Sequence, residues 1–303
     1  MWNSELASVV IPCYNQGHFL GEAIESVLDQ TYRSYEIVVV DDGSTDDTAE
    51  VAAAYDHVGL LRQPNRGLAA ARNAGFARSA GQYVLFLDSD DRLLPDALDL
   101  GIQSLRANPE CALSYGYVIP ISVDGRRLKV PPQFAVNENQ YLELLRHNYI
   151  WTTGAVVYRR SIIDELGGFN ASISGSADFD LNLRVARLFR ICCSDTPVLE
   201  YRRHDQSMSR RYDVMLKSAI SARNGHRKFI YGNAALESAL SEGIRAVQAD
   251  YGEKLINEIA RHFRNGAWSQ AAWSLLVALR YYPEGFAKHA RQRLSRLILN
   301  LQG

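Results

Sequence analysis

The sequence lacks long apolar runs and an excess of charge of either sign. No segment reaches the roughly 18 consecutive apolar residues of a membrane-spanning helix. The N-terminus has no basic region followed by an apolar stretch, so no signal peptide is expected. The 303 residues include 33 Lys and Arg against 34 Asp and Glu, which gives no indication of a nucleic-acid partner. Any membrane contact is therefore expected to be peripheral, from the cytoplasmic side.

Cysteine is scarce, and its spacing suggests neither a metal site nor a disulfide framework. The four cysteines are Cys13, Cys111, Cys192 and Cys193. Cys192 and Cys193 are neighbours in a predicted strand, so they should point to opposite faces of a sheet. This pattern predicts reduced, mostly buried thiols and a cytoplasmic protein.

Two nucleotide-binding motifs are also missing. No G-x-G-x-x-G follows the first predicted strand, and no G-x-x-x-x-G-K-[ST] occurs anywhere. These absences count against a dinucleotide-binding dehydrogenase and a P-loop NTPase.

The most informative stretch is YVLFLDSDDR at residues 83–92. Its apolar half is typical of a strand buried on both faces of a parallel sheet. Asp88, Asp90 and Asp91 then follow, where open α/β sheets bind their ligands. Three neighbouring carboxylates repel one another unless a cation joins them, and such oxygen ligands suit Mg²⁺ or Mn²⁺. An acidic turn that caps the next helix is the structural alternative.

Strands and helices alternate through the first third of the chain. Strands are predicted at 6–12, 35–40, 58–62 and 83–87, with helices at 19–30 and 67–79, the latter rich in Ala and able to approach the sheet closely. A capping box at Ser44 and Asp47 is expected to start the intervening helix. This alternation predicts a doubly wound, mostly parallel α/β sheet.

The pattern changes after residue 92. Helices are predicted at 96–108, 141–147, 161–166 and 178–190, and strands at 154–159, 191–195 and 198–202. A β-hairpin is expected over 111–130 around Asp124-Gly125. Strand signals end near residue 213, and 253–264 with 267–280 predict one tetratricopeptide-like helix pair. We therefore expect a domain at 1–212, divided into halves at 1–91 and 92–212, and a helical subdomain at 213–303.

Acidic side chains end two of the predicted strands, at Asp41-Asp42 and at Asp88-Ser89-Asp90. Pro12, Tyr14 and Asn15 leave the first strand at the same edge. Such a set could bind a nucleotide through its base, its ribose hydroxyls and a cation on its diphosphate.

Three segments, VVIPCYNQGHFLGEAIESVLDQTYRSYEIVVVDDGSTDDT, NRGLAAARNAG and YVLFLDSDD, together resemble a family 2 glycosyltransferase of the GT-A fold. The resemblance implies a base-reading acid at Asp41, a basic residue near the base at Arg66 and a DXD motif at Asp88 and Asp90, with Asp90 the metal ligand. The donor-nucleotide residues it implies, with the nearby polar residues, are Pro12, Tyr14, Asn15, Asp41, Arg66, Asp88 and Ser89.

The resemblance also implies a catalytic base within SADFDLNLR. Ala177 stands where the family has a glutamate, but Asp178 matches the second acid, which is the base. Asp42, Asp180 and Arg203 are expected to support the site. The segment Tyr201-Arg202-Arg203-His204 resembles the part that closes over the diphosphate, where His204 can be a further metal ligand.

The implied activity is inverting, metal-dependent transfer of a sugar from a nucleotide diphosphate sugar, expected to be UDP-linked. The acceptor would be a saccharide or lipid-linked hydroxyl, in the synthesis of bacterial surface polysaccharide. A sugar-phosphate nucleotidyltransferase and a non-catalytic nucleotide- or partner-binding scaffold stay open as alternatives. PCYNQGHF lacks the Gly-rich basic loop that the former requires, whereas Ala177 favours the latter.

The C-terminal segment 286–301 contains Lys288, Arg291, Arg293 and Arg296 and no acid. Its apolar residues fall on one stripe that could lie on an anionic membrane. The alternative is packing against the preceding helix pair or against a second copy of the chain, as a homodimer.

Overall fold

The computed structural model describes residues 3–205 and 207–291, with side chains from residue 6 onward. The described chain divides into two compact units. Unit 1 comprises Met1–Leu144 and Asn148–Asp205, and unit 2 comprises Leu145–His147 and Gln206–Gly303. The predicted domain boundaries, including the division after residue 91, stay predictions.

Unit 1 is an α/β structure whose described strands form one eight-stranded sheet in the order β3-β2-β1-β4-β7-β6-β8-β5. The strands are β1 (Asn3–Cys13), β2 (Tyr35–Asp41), β3 (Val58–Arg62), β4 (Gly81–Phe86), β5 (Arg92–Leu93), β6 (Cys111–Ile121), β7 (Val156–Arg159) and β8 (Arg190–Arg202). The helices are α1 (Gly17–Leu28), α2 (Thr48–Ala53), α3 (Leu68–Arg78), α4 (Ala97–Ala107), α5 (Gln140–Arg146), whose last two residues belong to unit 2, α6 (Arg160–Leu166) and α7 (Ala177–Leu188).

The first four strands are all parallel, with β1 paired to both β2 and β4. The predicted α/β alternation is confirmed here: β1, β2 and β4 are buried along most of their length, whereas the edge strand β3 is partly exposed. Val9, Ile11 and Leu85 belong to the core cluster that α1 and α4 cover. On the other face α3 lies very close to the sheet, since a Cβ on Gly75 would clash with Val10 Cγ1.

The second half of the sheet is mixed. β7 is antiparallel to both β4 and β6, β6 is parallel to β8, and β5 is antiparallel to β8. The two strands predicted at 191–195 and 198–202 are one strand, β8, in which Asp195 has a φ of +51°.

The predicted hairpin over 111–130 is wrong in its second strand. The turn exists, with Gly125 at a φ of +80°, but the chain beyond it makes only a single bridge, between Ile121 and Arg127. β7 pairs only with Leu113, Ser114 and Tyr115 of β6. Further along β6, the backbone N–H and carbonyl of Val118 bond to the side chain of Gln133, so a side chain takes the place of a returning strand.

The predicted capping box is also wrong. The residue before α2 is Asp47, and its side chain makes no capping hydrogen bond. Asp46 instead accepts hydrogen bonds from Thr48 N at 3.2 Å and from Gly17 N, at the start of α1, at 2.9 Å. Ser44 Oγ accepts from Asn15 N. One carboxylate therefore satisfies N–H groups at the starts of two helices.

The prediction of only reduced thiols is wrong for two of the four cysteines, because Cys111 and Cys192 form a disulfide. They are 81 positions apart in the sequence, so their spacing gave no signal, but they lie on neighbouring parallel strands, β6 and β8. Cys13 and Cys193 are free.

Replacing Cys111 with Ser is expected to lower the free energy of unfolding by about 2–4 kcal/mol under oxidising conditions, because the cross-link restricts a long loop in the unfolded chain. Urea unfolding with and without a reductant measures this, and Cys193→Ser is the matched control at a free cysteine. Equal midpoints for wild type and Cys111→Ser without reductant would contradict a stabilising disulfide.

Unit 2 is helical throughout its described elements. These are α8 (Tyr212–Asn224), α9 (Arg227–Ile230), α10 (Ala234–Val247), α11 (Glu253–Arg264) and α12 (Trp268–Tyr281). Leu216, Leu255, Ile259 and Val277 belong to its core. The predicted helix pair is confirmed as α11 and α12.

Residues 283–291 are also helical. Arg293, Arg296 and the other residues of the predicted tail after position 291 lie outside the described residues. No described helix is long and apolar enough to cross a membrane.

Candidate active site

The ends of β1, β2 and β4 bring the predicted site residues to one edge of the sheet. Cys13 on β1 is in register with Asp41 on β2, and Val10 on β1 is in register with Phe86 on β4. Because all three strands are parallel, the segments that leave their carboxyl ends emerge side by side. Pro12 is buried in β1, whereas Tyr14, just beyond the strand, is 48% exposed.

Asp41, the last residue of β2, and Asp42, the next residue, differ in their partners. Asp41 is fully buried; one oxygen accepts from Ser44 N at 2.7 Å and the other from Arg62 Nε at 3.0 Å. A carboxylate has about four acceptor positions, so these two partners leave part of the acceptor capacity of Asp41 unused.

The Asp42 carboxylate holds the NRG loop by accepting hydrogen bonds from backbone N–H groups of that loop. Its two oxygens accept from Arg66 N at 2.9 Å and Gly67 N at 2.8 Å, and Gln63 Nε2 also donates to it at 2.7 Å. Arg66 itself is exposed, so Asp42 fixes the loop while leaving the Arg66 side chain at the surface.

A buried arginine pairs with the DXD segment and acts electrostatically on the start of α7. Arg72 is 3% exposed, and its Nη2 donates to Asp88 Oδ1 at 2.6 Å. Burial raises the pKa of Asp178, and the nearby Arg72 guanidinium opposes that rise. Burial raises the pKa of Asp88 too, against the same opposing charge. One cation therefore serves two carboxylates, and its Nε has no hydrogen-bond partner among the described residues.

Asp90 is paired with His204. His204 Nε2 lies 2.8 Å from Asp90 Oδ2, and the imidazole is nearly buried against the ring of Phe19 at a centroid distance of 5.4 Å. Ser89 is buried and donates to Gln16 Oε1 at 2.5 Å, while Gln16 Nε2 lies 3.5 Å from Asp90 Oδ2. Gln16 thus ties the DXD segment to the start of α1.

Asp91 and Arg202 hold the acidic turn in place. Asp91 Oδ1 accepts from Arg202 N at 2.8 Å, and Arg202 Nε donates to the Asp90 carbonyl at 2.8 Å. The rest of the guanidinium donates to the Val123 carbonyl and to Glu22. Arg202 is therefore a buried residue whose hydrogen bonds hold this turn in place. Burial, with Asp90 and Asp88 nearby, raises the pKa of Asp91 well above its usual range.

Asp178 and Asp180 lie in the first turn of α7 but have different surroundings. The residue before the helix is Ser176, so Asp178 is not the N-cap; its Oδ1 accepts from Phe179 N at 2.8 Å. Asp180 instead binds Arg184 Nε at 2.9 Å, and Arg184 donates further to the carbonyls of Leu166 and Gly168. Asp180 is thus part of a packing network, away from Asp88.

The structure accordingly brings some predicted residues together and leaves others apart. Asp88 pairs with Arg72, whose charge also acts on Asp178, and Asp90 pairs with His204. Arg203 is exposed beyond β8, and its backbone N–H donates to the Ile121 carbonyl. Asn15 has a φ of +53°, and its Oδ1 accepts from Thr45 N at 2.8 Å.

Sequence reasoning missed Arg72, Gln16 and Arg62. Arg72 was available from the pattern of α3, where it shares a buried face with Ala69 and Gly75. An arginine among small residues on the sheet-facing side of a helix needs a buried acid as partner. Nothing in the local pattern singles out Gln16 or Arg62.

The residues present are compatible with a metal bound together with a substrate. No cluster of three or more His, Cys, Asp or Glu side chains suited to a metal occurs among the residues described. The Asp90–His204 pair would supply two ligands, and Mg²⁺ sites of this kind are commonly completed by substrate phosphates and water.

The glycosyl transferase family 2 profile matches residues 8–167, just over half of the chain. The glycosyltransferase EpsJ of Bacillus subtilis, itself uncharacterized, is 29% identical over 67% of this chain and 63% of its own length. The chondroitin synthase of Escherichia coli is 31% identical over 60% of this chain and 27% of its own length. The chain therefore matches less than two thirds of either relative.

Two solved structures share the fold. Residues 1–349 of Staphylococcus aureus TarS, in complex with UDP-GlcNAc, superpose with a TM-score of 0.57 at 19% identity over 88% of this chain and 89% of that one. The mannosyltransferase PcManGT of Pyrobaculum calidifontis, in complex with GDP-Man and Mn²⁺, gives 0.58 at 17% identity, covering 92% and 87%. The GT-A prediction is thereby confirmed, and by its profile match the chain belongs to glycosyl transferase family 2.

Proposed function

We propose that this glycosyltransferase moves a sugar from a nucleotide diphosphate sugar to an acceptor hydroxyl with inversion at the anomeric carbon. The observation that carries the proposal is the arrangement of Asp88, Asp90 and Asp178 around Arg72 and His204. The acids stand at the carboxyl ends of parallel strands and at a helix start, where the fold leaves room for a ligand.

Each polar group has a task in this proposal. Asp41 accepts from the base N–H, Tyr14 stacks on the base, and Asp88 accepts from ribose hydroxyls. Asp90 and His204 hold Mg²⁺ or Mn²⁺, which neutralises the charge that develops on the diphosphate. Asn15, Asp42 and Gln16 keep the surrounding loops in position.

The chemistry needs one base. The acceptor oxygen forms a bond to the anomeric carbon while the bond from that carbon to the diphosphate oxygen breaks, and the electron pair leaves with the diphosphate. Asp178 takes the proton of the acceptor hydroxyl. A single displacement of this kind inverts the anomeric configuration and needs no second carboxylate to protonate the leaving group.

The donor is proposed to be UDP-linked, since the neighbour TarS binds UDP-GlcNAc. The neighbour PcManGT binds GDP-Man, which makes GDP the alternative to test. A role in polysaccharide synthesis, with a saccharide or lipid-linked acceptor, is supported by the chondroitin synthase relative.

Calorimetry with UDP, dTDP and GDP, with and without Mn²⁺, tests the donor site. Replacing Asp90 with Ala is expected to weaken the Mn²⁺-dependent binding of the preferred nucleotide by roughly 10–100-fold or more, since it removes a metal ligand. The matched control is Asp99→Ala on α4, where the carboxylate accepts, among the residues described, from Gln103 of the same helix alone.

Metal-independent binding that ignores Asp90→Ala would contradict the proposed metal site. No binding of any of the three nucleotides would contradict the donor site and favour the non-catalytic scaffold.

A further inference from the structure

The outer face of α12 is apolar and exposed. Trp268, Ala272, Leu276 and Leu279 recur every three or four residues and form one stripe, with Trp273 at its margin. Trp268 is 66% exposed and Leu276 is 62% exposed. The opposite side of the helix is buried in the core of unit 2. We call these five residues the α12 face.

Aromatic side chains extend the α12 face and hold it in shape. Trp268 packs edge-to-face on Phe263, at the end of α11, with ring centroids 5.7 Å apart. The indole N–H of Trp273 donates to Asp213 Oδ2 at 2.9 Å. Exposed tryptophans beside exposed leucines are typical of surfaces that sit at a membrane–water interface.

The charge of the two parts of the chain is strongly unequal. Residues 206–303 contain 15 Lys and Arg against seven Asp and Glu, whereas residues 1–205 contain 18 against 27. α12 itself has no acidic residue, and exposed Arg264 and Arg280 lie near its two ends. A basic helical unit with an exposed apolar face matches an anionic surface.

A polar groove of about 490 Å³ adjoins the end of α12. It is lined by Ile220, Ser221, Asn224, Gln248, Arg280 and Tyr281. Arg280 lies over the Tyr281 ring at 5.7 Å, and it has no acidic partner among the described residues. A guanidinium beside hydroxyl and amide groups is suited to a phosphate oxygen.

We propose that the α12 face docks unit 2 onto an anionic lipid bilayer. Trp268, Leu276 and Leu279 enter the boundary between headgroups and acyl chains, and Arg280 meets a lipid phosphate in the groove. A second copy of the chain is a poorer occupant, because a two-fold interface would place two basic surfaces together. The inference rests on unit 2 alone and is independent of the donor chemistry proposed above.

Vesicle sedimentation with the full chain tests this docking. Binding to phosphatidylcholine vesicles that contain phosphatidylglycerol is expected to be about tenfold or more tighter than binding to phosphatidylcholine alone, and to weaken with salt. Leu276→Glu is expected to lower it about tenfold or more, because a charge replaces a side chain that enters the bilayer. Circular dichroism confirms that this surface variant is folded.

The matched control is Gln270→Glu, which makes the same charge change at an exposed position of α12 outside the stripe. It is expected to bind within about twofold of wild type, and a chain that ends at Arg291 should still bind. The proposal is overturned if wild type ignores anionic vesicles, if both glutamate variants bind equally, or if the shortened chain alone loses binding. It is also overturned if wild type is a dimer that Leu276→Glu dissociates without any change in vesicle binding.

Discussion

Replacing Asp178 with Asn is expected to lower kcat by roughly 10²–10⁴-fold, the usual contribution of a general base. The amide keeps the shape of the side chain, and its oxygen can still accept from Phe179 N, as Asp178 Oδ1 does now. What it loses is the ability to take a proton from the acceptor. Release of nucleoside diphosphate from the preferred donor measures kcat, and calorimetry should show donor affinity almost unchanged.

Asp180→Asn is the matched control, because the same substitution is made two positions further along α7. Asp180 is 6% exposed and bound to Arg184, so its replacement is expected to lower the free energy of unfolding by about 1–3 kcal/mol. The folded fraction should keep its turnover. If Asp178→Asn retained the wild-type kcat, Asp178 would not be the catalytic base and would have only a structural role in the first turn of α7.

The parallel half of the sheet could be predicted from the sequence because its signals are local. Each of β1, β2, β3 and β4 is a short apolar run bounded by polar residues, and the observed bounds differ from the predicted ones by at most three residues. Motif spacing likewise pointed to Asp88, Asp90 and Asp178, although their roles stay predictions.

The features that the sequence did not predict depend on contacts between distant parts of the chain. The second strand of the predicted hairpin is replaced by the side chain of Gln133, which bonds to the backbone of Val118 on β6. The Cys111–Cys192 disulfide follows from the pairing of β6 with β8, some 70 residues later. Ser44 and Asp47 fit a capping pattern, but tertiary packing brings Asp46 to the start of α1 as well as α2. The local sequence pattern of a segment contains no information about distant residues that compete for its hydrogen bonds.

Arg72 is the residue whose replacement should change the pH dependence most. Burial raises the pKa of Asp178, and the Arg72 charge opposes the rise. A base works in its ionised form, so activity is lost as the pH falls through its pKa. Arg72→Met removes the opposing cation. The acid limb of the pH profile of kcat/KM is therefore expected to shift to higher pH by roughly 1–2 units. Rates of nucleoside diphosphate release across pH measure this shift.

Arg72→Lys separates the charge of this residue from its shape. A lysine keeps the cation near Asp88 and Asp178 but loses the planar guanidinium that packs 5.4 Å from the Phe169 ring centroid. Its acid limb is therefore expected near that of wild type, even if kcat falls. Arg72→Met should also be less stable by about 1–3 kcal/mol near neutral pH, because it leaves the partly buried Asp88 without its partner, and urea unfolding provides that check. An acid limb that stays in place in a folded Arg72→Met enzyme with lowered kcat would mean that Arg72 contacts the substrate directly, and that the ionisation of Asp178 is set by other groups.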